Sequence, residues 1–311
     1  MEQRHLGRSG LRVSRVGLGT LTWGRDTDEH EAADQLRSFV DAGGTLVDTA
    51  ASYGDGASEE LLGSLVGDVV DRAELVLATK AGLWPGTSRV DAGARSMLRS
   101  LDDSLARLRT DHVDLWLVQA WDPVVPLEET LAVLRTAVAS GRARYVGVAN
   151  YSGWQLARAA TLAQGAGVPL VADEVEYSLL ERSAETDVVP AAEHVGTGLL
   201  AWAPLGRGVL TGKYRSGTPA DSRAASPHLS GYVEPYLDAD CRRVVEAVAT
   251  AADGLGCAPL EVALAWVRDA PGVASALVGA RTAAQLRGSL AAEDVVLPEE
   301  IRQALDDVSA G

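Results

Sequence analysis

Asp48, Tyr53, Lys80 and Gln119 are side chains of the types that proton transfer to a polarised bond uses. A free phenol titrates near about 10, so a tyrosine that is to protonate a substrate near neutrality needs a neighbouring cation to lower that value. Lys80 is a candidate for that cation, and Asp48 paired with it would keep the ammonium charged and aimed. Gln119 closes the apolar run at the start of "DLWLVQAWD" (114–122) with an amide that can donate a hydrogen bond but cannot titrate. Singly, each has a plainer reading: a turn cap for Asp48, a solvated strand end for Lys80, loop packing for Tyr53. Acting together, they need a scaffold that brings them to one place.

The scaffold is legible in the alternation of elements. Short apolar or β-branched runs at 14–20, 45–50, 74–80, 113–119, 144–150, 170–177, 198–204 and 275–280 read as strands. Helix-period segments separate most of them, such as Leu36, Phe39 and Val40 before Gly43, or Met97, Leu101, Leu105 and Leu108. Ser58, Ser152 and Thr282 stand where helix N-caps are expected. Strand–helix alternation implies parallel strands with right-handed crossovers, and eight such units make an α/β fold of the (β/α)8 TIM-barrel type, one domain over 1–311. An open doubly wound sheet is the alternative. It requires a glycine-rich phosphate turn after the first strand, and "GLGTLTWG" places its third glycine wrongly. Two pieces fall outside the repeat. "RHLGRSGLRVS" reads as an N-terminal β-hairpin capping one barrel end, and the Gly-, Ser- and Pro-rich stretch from Pro204 to about Tyr236 is far longer than an ordinary βα loop. Helices are expected at about 239–255, 259–269 and 298–309.

In a parallel barrel all C-terminal strand ends open on one face, where chemistry gathers. Asp48, Lys80 and Gln119 each close a strand, and Tyr53 follows in a loop, so the topology converges all four. Composition narrows the partners. The formal net charge of -15 opposes binding to nucleic acid, whose affinity comes mostly from cations on phosphates. No long uninterrupted apolar run and no export-type N-terminus are present, so no membrane association and a cytoplasmic location are expected. Cys241 and Cys257 lack disulfide-framework or zinc-ligand spacing, so both are read as plain thiols and no metal is expected.

"LVDTAASYGDGASEELLG", "LATKAG", "VPLEETL", "GRARYVGVANYSGW", "VEYSLL", "AWAPLGRGVLTGKY" and "VGARTAAQL" resemble, in order and over essentially the whole chain, the motifs of the aldo-keto reductase superfamily in its bacterial, potassium-channel-β-subunit-like branch. The resemblance implies reversible hydride transfer between NADPH and an aldehyde or ketone. It makes Asp48, Tyr53 and Lys80 three members of a catalytic tetrad, with Tyr53 as general acid. The fourth member is ordinarily a histidine, and this chain has Gln119 there. An amide still offers a donor to a carbonyl oxygen, whereas losing such a donor altogether costs about 10²–10³ in rate. His112, His5, His30 and His194 are placed away from the mouth by their elements; only His228, in the long loop, could reach it.

For the cofactor, NADP(H), the same resemblance implies contacts from Thr20, Leu21 and Asp48, and from Ala149, Asn150 and Glu174 around the carboxamide. Trp202 would stack on the nicotinamide. Ala203, Pro204, Leu205, Gly206, Arg207 and Lys213 would form the strap over the pyrophosphate, and Gly279, Arg281, Gln285 and Ser289 the adenosine-phosphate segment. Arg281 and Lys213 suit a 2′-phosphate dianion, which favours NADP(H) over NAD(H). Without the surrounding motifs, Trp202 reads as core and Arg281 as a surface charge. Glu174, where the family has an amide, would favour the cationic oxidised nicotinamide unless burial neutralised it. Trp23, Trp84 and Trp121 each follow a strand end and are expected to line an apolar mouth for a small carbonyl substrate. A cofactor-binding sensor with little turnover, a reductase of C=C or C=N bonds, and a Schiff-base enzyme using Lys80 are the competing readings. Substrate identity and oligomeric state are not written in the sequence.

Overall fold

The computed structural model describes every residue except 85, 86, 88, 221, 227, 228 and 311. Strands β1 (Gln3–His5) and β2 (Arg12–Ser14) form an antiparallel hairpin. Eight further strands follow in chain order: β3 (Val16–Gly19), β4 (Leu46–Asp48), β5 (Val76–Ala81), β6 (Val113–Val118), β7 (Ala143–Ala149), β8 (Leu170–Glu176), β9 (Gly198–Trp202) and β10 (Val273–Val278). Each pairs in parallel with its neighbours, and β10 closes onto β3, so the sheet is a complete barrel. Closure leaves no strand edge unpaired.

The helices form the outer ring: α1 (Glu29–Asp41), α2 (Ala57–Leu65), α3 (Ala94–Leu108), α4 (Leu127–Ala139), α5 (Gly153–Gly165), α6 (Ala184–Val195), the short α7 (Ser230–Val233), α8 (Ala239–Leu255), α9 (Pro259–Arg268), α10 (Ala283–Leu290) and α11 (Glu299–Ser309). Several begin on a side-chain cap. Asp28 accepts from Glu31 N at 2.9 Å, Asp238 from Cys241 N at 2.8 Å and Thr282 from Gln285 N at 3.2 Å. Ser152 begins α5, where Gln155 Oε1 accepts from the Ser152 amide at 2.9 Å. Ser58 does not cap. It lies inside α2, fully buried, and its hydroxyl turns across to Thr20 instead. No single helix among the described residues is long and apolar enough to cross a membrane.

Strand alternation divides the core in two. Leu46, Ala78, Leu115, Leu117, Ala172 and Leu200 fill the barrel interior together with Leu6, Leu11 and Val13 of the hairpin segment, so the hairpin plugs the N-terminal end. Val47, Leu77, Trp116 and Val118 face outward into the layer shared with the helices. Gly17 and Gly147 are needed inside: a Cβ on either would stand 2.6 to 2.7 Å from Leu277 or Leu117 side-chain carbon. The run 14–20 turns out to span two elements, because Ser14 ends β2 and its hydroxyl donates to Val16 O at 2.7 Å, turning the chain from the plug into the wall.

Two-residue periodicity then fixes the top of the barrel. Counting inward from Leu46 reaches Asp48, from Ala78 reaches Lys80, from Leu117 reaches Gln119, from Ala172 reaches Glu174 and from Leu200 reaches Trp202. Five polar or aromatic side chains therefore cap an aliphatic interior at its C-terminal end.

Candidate active site

Lys80 is 2 % exposed and sits between two carboxylates, its Nζ 2.5 Å from Asp48 Oδ1 and 2.9 Å from Glu174 Oε2. Tyr53 begins the short 3-10 turn Tyr53–Gly56 after β4, fastened by its amide donating to Ala50 O at 3.0 Å. Its ring centroid lies 5.2 Å from Lys80 Nζ. The turn is held from below. Glu59, fully buried in α2, accepts from Thr79 Oγ1 at 2.5 Å and from Arg107 at 2.7 and 2.8 Å. Beneath Asp48, Ser58 Oγ donates to Thr20 O or Thr20 Oγ1 (2.9 and 2.8 Å), and Thr20 Oγ1 donates to Asp48 O at 3.0 Å. A buried cluster of charges is stable only when its partners are fixed in this way.

The electrostatics differ from the sequence expectation. Burial is the largest influence on Tyr53 and raises its pKa; Asp48 and Glu174 raise it further, and together they outweigh the lowering by Lys80. The phenol is therefore held protonated well above neutrality. Lys80 stays charged because its two carboxylates outweigh the burial that would discharge it. Burial pushes Glu174 up to about 8, with Asp48 adding to the rise and Lys80 opposing it. Asp48 is raised as well, again mainly by burial, while Lys80 lowers it. Two carboxylates on one ammonium in a dry site cannot both ionise freely, so the cluster retains a proton at neutral pH. Asp173, the next residue on β8, is pushed well above the usual carboxylate range by burial.

Gln119 is 8 % exposed and is gripped from three sides. Its amide N–H donates to Ala81 O at 2.8 Å, its carbonyl accepts from Asn150 Nδ2 at 2.9 Å, and its side chain meets the Ser52 hydroxyl. Ser52 escaped the sequence reading; its place immediately before Tyr53 is the signal that could have found it. Asn150 is held at φ 59° and its Oδ1 accepts from Trp202 Nε1 at 3.0 Å, so β6, β7 and β9 are tied together above the interior. Ala149, buried at the end of β7, is register partner to Glu174.

The strap after β9 has unusual backbone. Ala203 and Arg207 have positive φ, a strain that persists where surrounding contacts over-determine it, and Gly206 and Gly208 adopt the same region freely. Pro204 is buried and Leu205 packs against the outer core. The Arg207 guanidinium, expected to serve the cofactor, is instead committed to Glu176 (2.8 and 2.6 Å) and to Tyr232 O (2.7 Å), with the Tyr232 ring 3.9 Å away. What Arg207 leaves for a ligand is its backbone. Lys213 stands by Gly208, where a Cβ would be 3.3 Å from Nζ. Gln285 Oε1 accepts from Arg281 N at 3.0 Å, and Ser289 Oγ is spent on Gln285 O at 3.3 Å.

Arg223, in the long loop, was not anticipated. Its guanidinium donates a long hydrogen bond to Arg207 O, 3.5 Å, and burial together with the nearby Arg281 charge lowers its pKa. Its Nη2 would lie 3.8 Å from a Cβ on Gly279, so the guanidinium borders the turn that follows β10. A desolvated guanidinium beside a second one is the donor set a phosphate dianion satisfies, and the residues present thus fit a phosphate-bearing cofactor. The loop's lack of periodicity gave sequence reading nothing to fasten on. His228 lies outside the described residues.

Of the expected mouth residues, Trp23 is a misplacement. It is fully buried and its indole donates to Gln35 Oε1 at 3.1 Å, because the loop after β3 turns back on itself through Trp23 N to Thr20 O. Trp84 is 45 % exposed, and Trp121 stacks edge-on against Tyr151 (5.2 Å) and Trp154 (5.3 Å). Trp154, in the first turn of α5 and 59 % exposed, extends the aromatic surface beyond the residues anticipated. Leu21 lies half-buried in the turn after Thr20. Cys241 and Cys257 are free, and among the described residues no group of three His, Cys, Asp or Glu side chains could hold a metal ion.

A model of the aldo/keto reductase family matches residues 15–310. The chain is 36 % identical over 325 residues to the Uncharacterized oxidoreductase YrpG of Bacillus subtilis (strain 168), covering 100 % of the chain and 97 % of the relative. It is 34 % identical over 318 residues to a Probable voltage-gated potassium channel subunit beta of Oryza sativa subsp. japonica, covering 100 % and 96 %. To the Aldo-keto reductase YhdN of Bacillus subtilis (strain 168) it is 33 % identical over 293 residues, covering 92 % and 87 %.

Proposed function

The chain belongs to the aldo/keto reductase family, and from that membership we propose that it is an NADPH-dependent oxidoreductase that reduces an aldehyde or ketone at the C-terminal mouth of its barrel. The observation that carries the reading is the convergence of Tyr53, Lys80 and Asp48 from three separate segments onto one buried cluster, with the Gln119 amide beside it. When bound, the dihydronicotinamide supplies the hydride to the carbonyl carbon. Tyr53 gives its phenolic proton to the carbonyl oxygen, and Lys80 stabilises the phenolate charge left behind. Asp48 keeps Lys80 charged, and Glu174 lies against the ammonium's other side. Gln119 donates an N–H to the same oxygen and fixes its angle. The phenol carries at neutral pH the proton that reduction consumes. Arg223 and Arg281, with Lys213, supply the cationic ground for the cofactor's phosphates, and Trp84, Trp121 and Trp154 suit an apolar or aromatic carbonyl substrate.

Similarity to a probable potassium channel subunit beta, together with the amide at position 119, favours one second reading: a cofactor-dependent regulatory subunit with little turnover. NADPH oxidation with a panel of aldehydes and ketones separates the two. The enzyme reading expects steady turnover that falls about 10²–10⁴-fold in Tyr53→Phe while cofactor affinity is retained. Tight NADPH binding with no turnover on any carbonyl supports the regulatory reading instead.

A further inference from the structure

The Ser52 hydroxyl lies 3.0 Å from Gln119 Oε1 and 2.9 Å from Gln119 Nε2. One hydroxyl can serve both atoms at once, donating its proton to the amide oxygen and accepting from the N–H on the same side, which closes a small ring in the amide plane. A primary amide has two N–H donors and two oxygen lone pairs, so the ring consumes one of each. One N–H remains. The backbone on either side is already immobile, since Gln119 N is bonded to Ala81 O and Gln119 O to Asn150 Nδ2. Ser52 itself is set by the turn that delivers Tyr53, the next residue, so the acid and the amide's anchor move as one unit.

We propose that Ser52 is a positioning residue for Gln119: its hydroxyl locks the amide plane and leaves a single N–H directed at the acceptor oxygen that Tyr53 protonates. The inference rests on the carbonyl-reduction reading for its acceptor and on the structure alone for the lock. A long, freely rotating amide is otherwise a poor substitute for a ring donor, because misplacement by about 1 Å costs up to about 10²-fold in rate. Serine supplies what the side chain lacks in stiffness.

Two measurements test it. In the cofactor-free protein, the Gln119 side-chain amide, assigned by its disappearance in Gln119→Glu, is expected to give two well-separated ¹H–¹⁵N resonances, one slow to exchange with solvent. Ser52→Ala should move both to free-amide shifts and fast exchange, and Ser52→Thr should keep the slow one. In the holoenzyme with 4-nitrobenzaldehyde as probe, Ser52→Ala should lower kcat/KM about tenfold without changing NADPH affinity. The same substitution made on Gln119→Ala should cost nothing further, and Ser52→Thr should restore most of the rate. An amide spectrum indifferent to Ser52→Ala, or an equal loss on both backgrounds, overturns the proposal. If the wild type reduces no carbonyl, the activity reading fails and the amide spectrum still decides whether Ser52 locks Gln119.

Discussion

Replacing Glu174 by glutamine should make folding stability less sensitive to alkali. Glu174 is 3 % exposed, with Oε2 2.9 Å from Lys80 Nζ and Asp48 on the other side of that ammonium. Tyr53 and Asp173 are the remaining titratable groups close to it. Burial raises its pKa from the ordinary 4.5 to about 8. Below 4.5 the carboxyl is protonated in folded and unfolded chains alike, and it contributes no pH dependence. Between 4.5 and about 8 the unfolded chain releases the proton while the folded one keeps it, so stability falls as pH rises; above about 8 the loss levels off. At about 1.4 kcal/mol per pH unit, the interval amounts to roughly 5 kcal/mol. Glutamine cannot titrate and keeps an oxygen that can accept from Lys80. The variant should match the wild type within its fixed offset near pH 4.5 and gain progressively on it to pH 8.5. With a urea m-value of about 3 kcal/mol/M the relative gain in midpoint is between about 1 and 2 M. Urea titrations of both cofactor-free proteins, followed by tryptophan fluorescence at half-unit pH steps, read the difference directly. A midpoint difference that stays constant from pH 5 to 8.5 would refute the assignment of a neutral Glu174 to the folded state.

The same titration governs cofactor preference. Because Glu174 is protonated at neutral pH, NADP+ should gain little over NADPH at pH 7 and more above about 8, and the ratio of the two dissociation constants in Glu174→Gln should stay flat across that range; a wild-type ratio equally flat would sink the idea. Arg223→Ala should weaken NADPH about 10- to 100-fold at low ionic strength, the worth of one or two charge-assisted bonds, with little effect on the urea midpoint of the unliganded chain. Isothermal titration measures both forms, and an unchanged affinity would remove Arg223 from the phosphate site.

What the sequence disclosed and what it withheld divide along a physical line. The barrel was legible because strand period and helix period are local properties, and each of the eight strand runs carried its own signal. Convergence of Asp48, Lys80 and Gln119 followed from the same period, since a parallel barrel puts every strand end on one face and alternation tells which residue there points inward. Trp23 shows where that inference stops. It follows a strand end like Trp84 and Trp121, but the direction of a loop side chain depends on how the loop folds back, and here the turn buries the indole against Gln35. Ser58 fails likewise: its type and position suit a cap, yet its hydroxyl is claimed by Thr20 across the barrel wall.

The sign of the Tyr53 shift was the deeper difficulty. One neighbouring ammonium lowers a phenol's pKa, and the sequence offered Lys80 as that neighbour. The outcome turns on a count that no motif contains: how many carboxylates share the ammonium, and how much water reaches them. Two share it, all three groups are at most 3 % exposed, and the net field around the phenol therefore opposes ionisation. Glu174 thus reaches past its own contact to the acidity of Tyr53, beyond the lysine that lies near both. Position 119 carries an amide that cannot titrate, and position 174 a buried carboxyl that can. The adjustable proton of this site therefore lies on Glu174, beside Lys80, and not on the residue that would meet the acceptor oxygen.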